Sequence, residues 1–88
     1  MVTNVNISFK KRVYVDEEEL QNILENDKNV NYECKMICSG FVDGKQSFDI
    51  EVYSNENNTL GDIECYIYSL LGEHNIKASV DAYEQLLS

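Results

Sequence analysis

The chain has 88 residues, 43% of them apolar and 26% charged, and carries sixteen acidic against seven basic residues for a formal net charge of −9. That length and composition predict a single folded domain over residues 1–88 and exclude both a disordered chain and a large enzyme built from several domains. No apolar run reaches bilayer length, Met1-Val2-Thr3-Asn4 lacks the basic and apolar segments of a signal peptide, and Cys34, Cys38 and Cys65 are an odd set suited to reduced thiols. These features predict a cytoplasmic protein without membrane contact.

Residues 5 to 15 alternate, with Val5, Ile7, Phe9, Val13 and Val15 on one parity, which predicts a first strand. Asp16 then offers a capping carboxylate with Glu19 three residues on, and Val15 and Leu20 hold the two positions of a hydrophobic staple. A short helix follows, with Leu20, Ile23 and Leu24 as its apolar stripe and Asn26-Asp27-Lys28-Asn29 as its stop.

From Val30 to Tyr53 period two returns. Tyr32, Cys34, Met36 and Cys38 share one parity, Phe48, Ile50 and Val52 form the matching face of the next strand, and Asp43-Gly44 marks the turn. A two-residue loop would set Cys38 opposite Asp49 and Met36 opposite Glu51, with carboxylates on the apolar face. A three-residue loop, Val42-Asp43-Gly44, sets Cys38 opposite Phe48 and Met36 opposite Ile50, and is the register expected from sequence.

Thr59 is the expected cap of a second helix bearing Leu60, Ile63, Ile67, Leu70 and Leu71 at helical spacing, with Gly72 or Asn75 as its left-handed terminator. Ile76 to Tyr83 alternates again and predicts a last strand, although residues 77–87 also fit a helix capped at Ser79, with Val80, Tyr83 and Leu87 in helical register. The order strand, helix, strand, strand, helix, strand predicts an α+β, ferredoxin-like βαββαβ domain with two helices on one face of a four-stranded antiparallel sheet.

Catalysis finds little to work with. The single histidine, His74, falls at the end of the second helix, where a cationic side chain is favoured by the helix dipole, so no catalytic residue is assigned and the protein is expected not to be an enzyme. Cys34 and Cys38 lie four apart on a strand, about 13 Å along it, too far to share one metal. The segment Asn55 to Gly61 lacks the acidic first position and sixth-position glycine of a calcium loop, and the four glycines are isolated from any phosphate-cradling motif. No metal and no cofactor are therefore expected. An acylphosphatase would need a phosphate cradle where this chain has Val15-Asp16-Glu17-Glu18, and an RNA-recognition strand would need basic and aromatic residues where it has Phe48-Asp49-Ile50-Glu51-Val52. Direct nucleic-acid binding is not expected.

Two binding surfaces follow from the pattern. One is acidic and helical, with Asp16, Glu17, Glu18, Glu25, Asp27, Glu64 and Glu73 as spaced carboxylates able to occupy a basic nucleic-acid channel of another protein. The other is the open sheet face, where Tyr14, Tyr53, Tyr83, Ile37 and Phe41 fall on the outward parity beside Lys10, Arg12, Asp49 and Glu51.

With its acidic run from Asp16 to Glu19, its later acids and its residue inventory poor in catalytic groups, the chain resembles, as a class, the small acidic inhibitors of phages and mobile elements, including anti-CRISPR and anti-restriction proteins. That resemblance implies stoichiometric occlusion of a basic nucleic-acid-handling enzyme or effector, a CRISPR effector or restriction nuclease, with carboxylates steering and tyrosines anchoring. The alternatives are a toxin-immunity protein or a homo-oligomeric regulatory or ligand-binding domain, its homodimer packed through the sheet or the Leu86-Leu87 end.

Overall fold

The computed structural model describes residues 1–55 and 57–84. In chain order they form β1 (Val2–Ser8), α1 (Glu17–Glu25), β2 (Tyr32–Val42), β3 (Lys45–Ser54), α2 (Leu60–Glu73) and β4 (Ser79–Glu84). The strands make one antiparallel sheet in the order β2-β3-β1-β4, the ferredoxin-like arrangement, and the helices cover one of its faces. Ser79–Glu84 is strand, as the alternation predicts. Residues 85–87 of the expected element, and with them the Leu86-Leu87 end, lie outside the described residues.

The core is the sum of the apolar parities. Val5, Ile7, Phe48, Ile50, Val52, Cys34 and Ala82 point from the sheet toward Leu20 and Leu24 of α1 and Ile63, Ile67, Leu70 and Leu71 of α2, all buried. Asp16 caps α1 by accepting from the Glu18 and Glu19 amides at 2.9 and 3.2 Å. A reciprocal capping box forms at α2, between Thr59 and Asp62. That helix ends in a Schellman motif: Asn75 is left-handed at φ 60°, its amide donates to Gly72 and the Ile76 amide donates to Leu71.

Two expectations are corrected. The first strand does not run to Val15; the chain leaves the sheet after Ser8, whose partner Ser79 is the first residue of β4, and its last ladder bond to β3 is the Phe9 amide donating to the Gln46 carbonyl. Alternation reports parity, not the presence of a neighbouring strand. Residues 10–13 instead form a turn closed by Val13 N–H to Lys10 O, with Arg12 left-handed at φ 66°.

The second correction concerns the hairpin. Its loop has two residues, Asp43 and Gly44, with φ of 52° and 76°, the type I′ geometry that matches strand twist, and Val42 pairs with Lys45. Cys38 therefore faces Asp49 rather than Phe48. A β-bulge at Ile37 then shifts the ladder by one, so that Met36 pairs with Ile50 as expected and the carboxylates of Asp49 and Glu51 stay off the core. The extra residue reverses the parity of the distal hairpin: Cys38 is exposed on the open face, while Ser39 and Phe41 turn to the helix side with Phe48 and Gln46.

Candidate functional site: an aromatic pair beside the acidic start of a helix

The parity reversal brings together side chains that the sequence pattern assigns to opposite surfaces. Phe41, turned to the helix side, meets Tyr14 edge-on with ring centroids 6.0 Å apart, and both rings are open to solvent, 63% and 61% exposed. Ser39, one step along the same face, donates its hydroxyl to Glu17 of α1 at 2.7 Å. Tyr14, Phe41, Glu17 and the adjoining exposed Glu18 thus form one surface in which aromatic area borders carboxylates held at the positive end of a helix dipole.

Gln46 positions this surface. Its side-chain amide accepts from Val15 N–H at 2.8 Å and donates to Val15 C=O at 2.9 Å, a two-point clamp equivalent to a short piece of ladder. With the Phe9 amide on the Gln46 carbonyl, one residue of β3 holds both ends of the loop and fixes Tyr14 and Asp16 on either side of Val15. Neither this clamp nor the Ser39–Glu17 bond has a sequence signal, since their partners lie 31 and 22 positions apart.

Three of the other expected carboxylates, Glu25, Asp27 and Glu64, have structural partners. Glu25 accepts from the Met36 amide at 2.9 Å and from Gln21, and Glu64 accepts from the Ala82 amide at 2.8 Å. β2 and β4 are the outer strands, so each sheet edge has one backbone donor engaged by a helix carboxylate. Asp27 accepts from the Tyr66 hydroxyl, whose ring stacks on Tyr32 at 4.3 Å. Burial and this bond to a carboxylate push the Tyr66 phenol upward, and burial, followed by the charge of Asp27, pushes the nearby Cys34 thiol up to about 12. Cys34 is thus a protonated core group, whereas Cys38 and Cys65 are exposed and Cys38 donates to Asp49 at 3.2 Å. Glu73 is exposed in the last turn of α2.

Tyr14 and Phe41 do not belong to the open sheet face. That face carries Tyr53, whose hydroxyl donates to Glu51, and Tyr83, with Ile37 exposed at the bulge. Its rows read Lys35–Glu51–Asn4–Tyr83 and Cys38–Asp49–Asn6–Asp81 across the four strands. Asn6 is fixed there by donating to Ser47 and Asp49, both at 2.9 Å. The result is a polar surface weighted to carboxylates.

Among the described residues no helix is long and apolar enough to cross a membrane. Compared with known proteins, the chain matches no family model, no curated protein and no solved structure.

Proposed function

We propose that this chain is a protein-binding inhibitor that acts in the cytoplasm, without a catalytic step of its own, by occupying the basic nucleic-acid site of another protein. The observation that carries the proposal is the exposed Tyr14–Phe41 pair adjoining Glu17 and Glu18. Aromatic side chains at the centre of an interface supply most of its binding energy, on the order of 2 kcal/mol or more each, while a charge of −9 accelerates encounter with a basic groove and disfavours nucleic acid itself. The flat ring faces also suit arginine, the side chain that lines many phosphate-binding channels. Occlusion at one-to-one stoichiometry is then sufficient for inhibition. A symmetric homodimer through the open sheet face finds less support, because it would gather two sets of Asp49, Glu51 and Asp81 into one interface.

The test is affinity capture from bacterial lysate that contains defence nucleases, washed at low and high salt, with wild type beside Tyr14→Ala/Phe41→Ala and Glu17→Lys/Glu18→Lys. A nucleic-acid-handling protein should be retained at low salt by wild type alone, and its activity should fall to zero at equimolar inhibitor. The proposal fails if the captured protein binds both variants as well as wild type, or if only a salt-stable homodimer is recovered.

A further inference from the structure

The basic residues are few but unevenly placed, and two of them line a cavity that no carboxylate lines. Lys10, Lys11 and Arg12 follow β1, Lys45 opens β3 and Lys77 precedes β4, so five of the seven basic residues collect at the end of the sheet where β1 stops and β3 and β4 begin. Between the loop after β1 and the loop before β4 lies a cavity of about 490 Å³, within the range of small-molecule sites. Lys10 and Lys77 reach it from the two loops, Val13 and Ala78 contribute apolar wall, and Ser8 and Ser79, partners in the β1–β4 ladder, line it as well. Its two loops are held in shape: the Lys10–Val13 turn is closed by a backbone hydrogen bond, and the Schellman motif ties Asn75 and Ile76 to α2. The cavity is thus walled by constrained backbone and combines two cations, two hydroxyl-bearing residues and an apolar wall.

We propose that this cavity binds a small amphiphilic anion, an apolar body carrying a carboxylate, sulfonate or phosphate. The body packs against Val13 and Ala78 while the anionic group sits between Lys10 and Lys77, with Ser8 and Ser79 as hydroxyl donors. Charge selects this class: a neutral apolar ligand gains nothing from the two lysines, and a cation is repelled. The contrast with the hollow at the opposite end is direct, since that one is lined by Glu25, Asp27 and Glu33 and disfavours anions. The cavity is separate from the Tyr14–Phe41 surface, so its occupancy does not depend on the inhibitory role.

The probe is 1-anilinonaphthalene-8-sulfonate, titrated into the full 88-residue chain under native conditions and compared with N-phenyl-1-naphthylamine, which lacks the sulfonate. Saturable, blue-shifted fluorescence with a dissociation constant on the order of tens of micromolar is expected for the sulfonate, and binding of the neutral analogue at least about tenfold weaker. Lys10→Glu/Lys77→Glu should weaken sulfonate binding by about tenfold or more, and raised salt should weaken it in wild type. Equal binding of both probes, no saturable binding, or an unchanged affinity in the folded double variant overturns the proposal. So does binding of an oligonucleotide or heparin without the sulfonate, which would assign the lysines to extended polyanions. Should the double variant fail to fold, amide shifts in wild type decide: shifts centred on Ser8, Ala78 and Ser79 support the site, and shifts centred elsewhere overturn it.

Discussion

Glu64, on the second helix, accepts the backbone amide of Ala82, on the outer strand β4, at 2.8 Å. The opposite edge repeats the device, with Glu25 of α1 on the Met36 amide of β2 at 2.9 Å. An open edge amide is a template for another strand, and a carboxylate drawn from the covering helix occupies it without adding a strand. Carboxylates that contribute to the acidic charge therefore also tie the helices to the sheet.

Replacing Glu64 with alanine should leave the nearly buried Ala82 amide without its acceptor, lowering stability by about 1–3 kcal/mol, and should raise self-association through β4. Glu64→Gln keeps an acceptor and should lose less. Thermal melts and sedimentation of both variants check this, and equal behaviour of the two would show that the hydrogen bond contributes nothing.

Stability should decline in alkaline solution. Cys34 and Tyr66 hold their protons in the folded chain above their ordinary values near 9.0 and 10.0, by burial foremost, whereas the unfolded chain releases them there. The unfolded state then binds fewer protons than the native state, so unfolding becomes easier as pH rises, by up to about 1.4 kcal/mol per pH unit for the buried Cys34 and by less for the partly exposed Tyr66, where solvent screens the interaction. Below pH 9 the contribution is fully present. Urea midpoints between pH 8 and 11 should fall, and less steeply in Cys34→Ala.

Deleting Ile37 should leave a folded protein, because Met36 opposite Ile50 and Cys38 opposite Asp49 become consecutive rungs of a regular ladder. A loss of no more than about 2 kcal/mol is expected, within the ordinary range for single changes. Backbone shifts that stay native-like on β3 would verify the register; collapse of the fold would show that the bulge is required for β2 to reach α1.

Ile67→Asp places an unpaired carboxylate among Leu20, Ile63, Leu71 and their neighbours, where Ile67 is fully buried. A loss of about 4 kcal/mol or more is expected, enough to unfold a domain of this size. Circular dichroism at neutral pH reads the outcome.

Local order determined much of this molecule from the sequence alone. Asp16 and Thr59 cap helices because their side chains reach amides two or three residues away, Asn75 ends α2 because asparagine tolerates the left-handed region, and the alternations around Ile7, Ile50 and Val80 sort apolar from polar sides. From these, the element order and the ferredoxin-like architecture followed. Tertiary structure alone decided where β1 lost its partner, that Asp43-Gly44 takes a two-residue turn corrected by a bulge at Ile37, and hence that Phe41 meets Tyr14 beside Glu17. Likewise, Glu25, Asp27 and Glu64 read as free charges in sequence but accept hydrogen bonds in the fold. The physical reason is common to all of them: capping and periodicity act within a few residues, whereas strand partners, bulges and helix-to-edge bonds depend on which distant backbone groups the closed sheet leaves to be satisfied.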